Sequence, residues 1–236
     1  MKTCAIIVAA GKGIRMRLDC PKQFIEVKNR PILYYTLNAF QKSKVDEVIV
    51  VVSKDYQEYV QKDIVGKFKL DKVKKIVLGG AERYLSVYEG IKAAEGVDYV
   101  LVHDGARPFI EPVKINEVIE QVQQYQAVIV GVKAKDTMKI VNEDGYVIET
   151  PNRSMLWNVQ TPQAFEYNLL KTAYNKIVVE KISTITDDAM VVEYATDQKI
   201  KMLEGSYRNI KITTIEDLRE EDFENMLQTV TKQTNF

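Results

Sequence analysis

The feature that most constrains the fold is an alternation of short β-branched runs with longer amphipathic runs. The short runs are nearly continuous in Val, Ile or Leu, which is typical of strands that are covered on both faces. They predict five strands, at residues 3–8, 47–52, 73–78, 99–103 and 127–132. The amphipathic runs predict helices at residues 31–41, 55–65, 83–94 and 112–124. This order indicates an α/β fold, a Rossmann-like, mostly parallel mixed sheet with helices on both faces.

After residue 134 the alternation gives way to a different pattern. Residues 136–141 and 146–150 predict two short strands around the turn Asn142-Glu-Asp-Gly145, which is a β-hairpin. We expect it to protrude as a hairpin arm at about 135–155, where it is a candidate contact with a second subunit. Further predicted elements are helices near 166–178 and 187–194, a strand at 199–203 and a last helix at about 215–230. Since no repeat or linker divides the chain, residues 1–236 are expected to form one domain.

Charge and cysteine content limit the partners and the compartment. The 33 basic and 33 acidic side chains cancel, so there is no global field that would attract nucleic acid or an anionic membrane. The N-terminal apolar run, residues 4–10, is at the lower limit for a signal segment, and no later run approaches the ~18 apolar residues that span a bilayer. Two cysteines are too few for a disulfide framework. We therefore expect a soluble, cytoplasmic protein.

The loop at residues 11–22 combines glycines with cations, as phosphate-binding loops do. It matches neither common nucleotide motif: Met16 stands where a dinucleotide fingerprint needs its third glycine, and Gly11-Lys12-Gly13 has the wrong spacing for a P-loop. Residues 11–30 carry six cations against two anions: Lys12, Arg15, Arg17, Lys22, Lys28 and Arg30 against Asp19 and Glu26. Arginine binds phosphate bidentately and lysine as a point charge, so this surplus indicates a phosphate site. A solvated surface loop is the alternative.

Asp104 stands at the end of an apolar strand, in the motif VLVHDGARPF. Ligands of open α/β sheets bind beyond the carboxyl ends of the strands. A carboxylate there suits Mg²⁺, which takes one or two carboxylates together with substrate phosphates. The alternative is a turn aspartate before Gly105. His103, the only histidine in the sequence, points to the opposite side of the strand and is expected to pack or to hold a hydrogen bond.

Weaker signals of a binding site follow other strands. Gly79-Gly80 precedes a helix that contains Ser86, and paired glycines permit close approach of the backbone to a flat ligand such as a base. A plain turn is the commoner reason for this dipeptide. Arg153 and Lys211 each lie near a predicted strand, where they are candidates for binding an anionic group.

Three further features are expected to be structural. Trp157 and Phe165 are interpreted as packing residues and not as platforms on which a ligand stacks. The segment 186–188, Thr-Asp-Asp, is interpreted as the N-cap of the helix that follows it. None of these three features is assigned a role in catalysis or ligand binding.

Eight motifs, taken in order, span nearly the whole chain: A-A-G-x-G-x-R-M, P-K-Q, G-G-x-x-R-x-x-S-V, H-D-G-A-R-P, D-T-M-K, L-W-x-x-Q-T-P-Q-A-F, T-D-D-A and N-I-K-I-T-T. In this order they resemble the 2-C-methyl-D-erythritol 4-phosphate cytidylyltransferases, glycosyltransferase-A-like nucleotidyltransferases of the non-mevalonate isoprenoid pathway. The resemblance implies that CTP and a sugar-alcohol phosphate give a CDP-alcohol and pyrophosphate. The acceptor phosphate would attack the α-phosphorus of CTP in line, with Mg²⁺ bound to the leaving pyrophosphate.

The resemblance also implies roles for individual residues. Arg15 and Lys22 would stabilise the pentavalent α-phosphoryl transition state, and Asp104 would hold Mg²⁺. CTP would be bound by Ala9, Ala10, Gly11, Gly13, Gly80, Arg83 and Ser86. The acceptor phosphate would be positioned by Thr137, Arg153 and Lys211. In this family the hairpin arm reaches a second subunit, so a homodimer is implied, with Thr137 and Arg153 acting across the interface.

One departure from the family pattern and two alternatives remain. Ala81 stands where relatives often carry an acidic residue, so any contact of that side chain is lost. Ribitol 5-phosphate cytidylyltransferase shares most motifs, but Gly105-Ala106, Lys139 and Leu156-Trp157 favour the erythritol enzyme. A module that binds CTP without turnover is the other alternative, and transition-state cations argue against it because binding alone does not need them.

Overall fold

The computed structural model describes residues 1–11, 20–182 and 184–218. In these ranges the central element is a seven-stranded sheet. Its strands are β1 (Thr3–Ala9), β2 (Glu47–Val52), β3 (Val73–Leu78), β4 (Tyr99–Asp104), β5 (Ala127–Lys133), β6 (Trp157–Glu166) and β7 (Lys201–Glu204). The spatial order is β7-β5-β6-β4-β1-β2-β3. Every neighbouring pair is parallel except the two pairs made by β6, so the predicted mostly parallel mixed sheet is confirmed.

Five α-helices of eight or more residues flank the sheet in the described ranges. They are α1 (Ile32–Gln41), α2 (Arg83–Ala93), α3 (Pro112–Tyr125), α4 (Tyr167–Glu180) and α5 (Asp188–Ala195). All five agree with the predicted helices within two residues at each end. The helix predicted at 55–65 is less regular, because a 3-10 turn at Lys54–Tyr56 leads through Gln57–Tyr59 into a π-helix at Val60–Gly66. Of the last predicted helix only Ile215–Leu218 is described, as a 3-10 turn, and the remainder lies outside the described residues.

The hydrophobic core lies on both faces of the sheet, because side chains of a strand alternate between its faces. In β1, Ala5 and Ile7 pack on the side of α1 and α3, whereas Cys4 and Ile6 pack on the side of α2, α4 and α5. All four of these side chains are fully buried. The near-continuous apolar runs of the sequence therefore reflect strands that are covered on both sides.

The sequence does not predict β6, although it is the longest strand of the sheet in the described ranges. It lies between β4 and β5 and is antiparallel to both. Pro162 has no backbone N–H to donate, and a proline in a run argues against a strand. The pairing with β5 shifts register between Val159 and Gln163, around this proline. This strand places Thr161 and Gln163 next to the carboxyl end of β4.

The predicted hairpin arm is present. Ile140–Val141 pairs with Val147–Glu149 in antiparallel fashion, and Gly145 adopts a φ of +85° in the turn, which favours glycine. The arm leaves seven large apolar side chains between 45% and 77% exposed: Met138, Ile140, Val141, Tyr146, Val147, Ile148 and Met155.

No helix among the described residues is long and apolar enough to span a membrane.

Candidate active site

A cleft of about 760 Å³ opens at the carboxyl edge of the sheet. The parallel strands β1, β3 and β4 all end at this edge, so the residues that follow them converge there. The lining includes Ala9, Ala10 and Gly11 after β1, Gly79, Gly80 and Ala81 after β3, Arg83 and Ser86 on α2, Asp104 at the end of β4, and the cations Lys22 and Lys211. Most of the residues expected to bind CTP therefore lie around one cavity.

Gln23 is hydrogen-bonded to the start of the glycine-rich loop. Its side chain is buried, and its Nε2 donates to the carbonyl of Ala9 at 2.6 Å and to that of Gly11 at 2.9 Å. These two bonds satisfy carbonyls at and just after the end of β1, and the neighbouring Lys22 lines the cleft. Gln23 belongs to the P-K-Q motif, but no local pattern predicts this role for it. Gly13 and Arg15, which were expected to act here, lie outside the described residues.

Gly79 is required by close packing at the cleft wall. A Cβ at this position would lie 2.5 Å from the Cβ of Ala10 and 2.8 Å from the Oγ of Ser86. The Ser86 hydroxyl is buried and donates to the carbonyl of Glu82 at 3.0 Å. The loops after β1 and β3 therefore touch at a glycine, which fixes the width of the cleft at this point.

Asp104 is surrounded by cations. Among the described residues three reach its carboxylate: Lys211 Nζ at 3.0 Å, Arg83 Nε at 3.3 Å and Arg107 Nε at 3.4 Å. Burial would raise the pKa of this carboxyl, but the positive charges of Arg83, Lys211 and Arg107 outweigh it and hold the pKa well below its ordinary value. Asp104 is therefore ionised throughout the physiological range of pH.

The residues around Asp104 fit magnesium only if the substrate supplies most of its ligands. In the described part of the chain no group of three His, Cys, Asp or Glu side chains could hold a metal by itself. Mg²⁺ commonly binds one carboxylate together with phosphates and water. The donor set here, one ionised carboxylate beside phosphate-binding cations, suits that arrangement, with Lys211 sharing the carboxylate.

His103 has the structural role that was predicted. It is fully buried, which lowers its pKa to about 4. Its Nε2–H donates to the carbonyl of Arg107 at 3.2 Å, because a carbonyl can only accept. Its Nδ1 therefore accepts from the hydroxyl of Thr161 at 3.0 Å, and that hydroxyl accepts from the backbone N–H of Asp104 at 3.1 Å. A neutral histidine thus joins β6 to the turn that carries Asp104 and Arg107.

Two charged residues of this region were missed by sequence reasoning. Arg107 lies in the H-D-G-A-R-P motif and also donates to the carbonyl of Asn209 at 2.8 Å, which ties the Asp104 turn to the segment of Lys211. Asp188 is fully buried and pairs bidentately with Arg83. These partners are 105 positions apart, and no local pattern connects them. The expected N-cap is confirmed at Asp187, whose side chain accepts from the N–H of Met190.

The residues of the hairpin arm that were expected to position the acceptor phosphate lie outside this cleft. Thr137 and Arg153 are exposed, do not line the cleft of their own chain, and lie at the base of the arm. Arg153 Nη1 donates to the carbonyl of Lys135 at 3.0 Å. Of the aromatic residues, Phe165 is fully buried, which confirms its packing role, and Trp157 is half-buried with the Lys133 ammonium 5.8 Å from its ring.

Beyond the carboxyl ends of its parallel strands, the sheet brings the buried carboxylate of Asp104 together with three cations, as is expected of a nucleotidyltransferase. A family model described as 2-C-methyl-D-erythritol 4-phosphate cytidylyltransferase matches residues 3–225. The chain belongs to this family, and it is an enzyme of the cytidylyltransferase class.

Individual relatives agree with the family match. The chain is 48% identical over 217 residues to the 2-C-methyl-D-erythritol 4-phosphate cytidylyltransferase of Lachnoclostridium phytofermentans, covering 92% of this chain and 93% of that protein. The protein of the same name from Clostridium novyi is 48% identical over 218 residues, with coverage of 92% and 94%. The crystal structure of 4-diphosphocytidyl-2C-methyl-D-erythritol synthase from Anaerococcus prevotii is similar with a TM-score of 0.82 and 39% identity, covering 96% of both chains.

Proposed function

We propose that this enzyme transfers CMP from CTP to 2-C-methyl-D-erythritol 4-phosphate, giving the CDP-alcohol and pyrophosphate. The proposal rests on one observation: Asp104 and Lys211 form an ion pair in the cleft that is lined by the loops after β1 and β3. A carboxylate and cations placed together suit a substrate pair with four phosphate groups. The reported relatives carry the methylerythritol name, which favours this acceptor over ribitol 5-phosphate.

The proposed reaction needs positioning and charge neutralisation more than covalent work by the protein. Ala9, Ala10, Gly11 and Gly80 present backbone to the nucleotide, and the side chains of Arg83 and Ser86 line the same cleft. An oxygen of the acceptor phosphate attacks the α-phosphorus, and the bond to the β-phosphate bridging oxygen breaks, so that pyrophosphate leaves. Lys22, with Arg15, stabilises the negative charge that develops on the α-phosphoryl oxygens.

Asp104 and Lys211 would act on the negative charges of the other phosphate groups, those of the triphosphate and of the acceptor. When bound at Asp104, Mg²⁺ would neutralise the triphosphate and the departing pyrophosphate. Lys211, 3.0 Å from Asp104 and 33% exposed, can turn toward the acceptor phosphate without leaving the cleft. Arg107 remains behind Asp104 and keeps its turn in place through the bond to Asn209.

We further propose a homodimer through the hairpin arm, with Thr137 and Arg153 of each arm reaching the acceptor site of the partner. Two features support it. These residues are exposed and lie away from the cleft of their own chain. The apolar side chains of the arm are exposed to an extent that soluble surfaces rarely tolerate unless they are interfaces.

We also place the enzyme in the cytoplasm. Cys4 is buried and Cys20 half-buried, and both are free thiols, as expected in a reducing compartment.

Pyrophosphate release separates the proposed enzyme from a CTP-binding module. The assay combines the purified protein with CTP, Mg²⁺ and methylerythritol phosphate, and a parallel reaction omits the acceptor. We expect release that requires the acceptor. If CTP binds but no pyrophosphate forms with any alcohol phosphate, the chain is a binding module and the proposed function is wrong.

A further inference from the structure

We propose that Asp188 is a positioning residue for nucleotide binding: it holds the guanidinium of Arg83 so that this side chain meets the ligand and Asp104 in one orientation. The inference rests on the proposed function, in which Arg83 binds CTP. Asp188 does not line the cleft, so it acts through Arg83.

The Asp188 carboxylate has three hydrogen bonds in a closed environment. Its side chain is fully buried. Its Oδ1 accepts from Arg83 Nη1 at 3.1 Å and from the Tyr174 hydroxyl at 2.6 Å, and its Oδ2 accepts from Arg83 Nη2 at 2.9 Å. A buried carboxylate is costly unless it is paired and hydrogen-bonded, and here the pair is a planar bidentate one. The arrangement therefore permits a single geometry of the Arg83 fork.

The carboxylate of Asp188 is not needed to cap its own helix. Asp187 is the N-cap of α5 and accepts from the Met190 N–H at 2.9 Å. The backbone N–H groups of Asp188 and Ala189 donate to Gln163 Oε1 at 3.0 and 2.9 Å. Since the first turn is satisfied by Asp187 and Gln163, the Asp188 carboxylate is left with two partners, Arg83 and Tyr174, and of these only Arg83 lines the cleft.

Arg83 joins Asp188 to the cleft. It is the first residue of α2, its side chain is 28% exposed, and it lines the cavity. Its two terminal nitrogens face Asp188, so that it meets Asp104 only through Nε, at 3.3 Å. Without Asp188 the fork would be able to turn and pair bidentately with Asp104. That change would take Arg83 away from the nucleotide and occupy the carboxylate that the proposed reaction uses.

A double-mutant cycle tests this inference. Asp188→Asn keeps the shape of the side chain and removes its negative charge. Arg83→Gln removes the guanidinium on which Asp188 acts. CTP affinity is measured by titration calorimetry for both single variants and the double variant, together with kcat and KM, and melting temperatures identify the folded variants. We expect Asp188→Asn to weaken CTP binding about tenfold when Arg83 is present and less than about twofold when it is absent.

Tyr174→Phe is the matched control. It removes another hydrogen bond to the same carboxylate, keeps the ring, and leaves the pair with Arg83, so CTP affinity should stay within about twofold of that of the parent protein. Equal losses from Asp188→Asn in both backgrounds would show that Asp188 acts only on the fold. A loss in Tyr174→Phe as large as that in Asp188→Asn would overturn the proposal as well.

A second variant and the choice of CTP affinity as the readout allow the role of Asp188 to be tested in every case. If Asp188→Asn does not fold, Arg83→Lys replaces it, because lysine keeps the charge but lacks the fork that pairs bidentately with Asp188; unchanged CTP affinity in that variant would contradict the proposal. Since the cycle reads CTP affinity, it is independent of turnover. A protein that binds CTP but releases no pyrophosphate fails the proposed function and still tests the role of Asp188.

Discussion

At the residue scale, the site depends on one buried carboxylate that pairs with three cations. The Asp104 carboxylate pairs with Arg83, Arg107 and Lys211, and two of these have a second partner: Asp188 for Arg83 and the carbonyl of Asn209 for Arg107. The cations that are expected to act on the reacting phosphorus, Lys22 and Arg15, precede this cluster in the sequence. We therefore expect ground-state structure and transition-state stabilisation to depend on different side chains, which substitutions should separate.

Lys22→Ala and Arg15→Ala should each lower kcat about a hundredfold or more while changing CTP affinity much less, because these charges act mainly as negative charge develops in the transition state. Steady-state kinetics and calorimetric titration with CTP measure the two quantities. Lys28→Ala is the control, since Lys28 belongs to the same cationic segment but does not line the cleft. A variant in which KM alone changes would refute the transition-state role of that residue.

His103 should make the stability depend on pH. Its pKa is lowered from 6.5 to about 4 by burial, so between these values the unfolded chain binds a proton that the folded chain does not. Stability therefore falls as the pH decreases from 6.5 to 4, by about 3 kcal/mol, and this loss is complete below pH 4.

Chemical denaturation at several pH values checks this prediction. His103→Gln keeps a donor toward the carbonyl of Arg107 and cannot be protonated, so its free energy of unfolding should lose less between pH 6.5 and pH 4 than that of the parent protein. Parallel curves for the two proteins over this range would show that His103 is not the group responsible.

At the scale of elements, the cleft depends on how closely its loops approach. Gly79→Ala would place a Cβ 2.5 Å from that of Ala10, so the loops after β1 and β3 must separate. We expect CTP affinity to fall about tenfold or more, a change that titration calorimetry measures directly. Gly66→Ala, a substitution of the same kind in the π-helix, should leave CTP binding unchanged. Equal affinity in both variants would mean that the width of the cleft at Gly79 does not matter.

The elements themselves were largely predictable from the sequence. The five strands that carry near-continuous Val, Ile and Leu agree with the structure within one residue at each end, because burial on both faces leaves a clear signal. β6 was missed because Pro162 interrupts its pattern. The cleft was predicted from motifs after β1, β3 and β4, whereas Asp188 and Gln23 were not, since their roles arise from contacts between distant segments that sequence spacing does not encode.

At the scale of the whole molecule, the hairpin arm carries the prediction of a dimer. Val141 and Val147 are cross-strand partners and are 51% and 58% exposed. Replacing both by Asp should yield a monomer, measurable by analytical ultracentrifugation, because two charges on an apolar interface oppose its burial. CTP affinity should persist, while KM for the acceptor rises at least tenfold as Thr137 and Arg153 are withdrawn.

Val113 and Val179 provide the control for the arm. They are 66% and 79% exposed on helices away from it, and the double replacement by Asp there should change neither the mass in solution nor the acceptor kinetics. A monomeric parent protein, or a charged arm variant that remains dimeric and fully active, would contradict the proposed interface.

Cytidylyl transfer to methylerythritol phosphate can be tested by a direct comparison of acceptors. The measurement is kcat/KM for methylerythritol phosphate and for ribitol 5-phosphate with saturating CTP and Mg²⁺, with the products identified by phosphorus NMR. We expect a CDP-methylerythritol product and a kcat/KM at least about a hundredfold higher for methylerythritol phosphate. Equal or greater efficiency with ribitol 5-phosphate, or no CDP-alcohol from either acceptor, would contradict it.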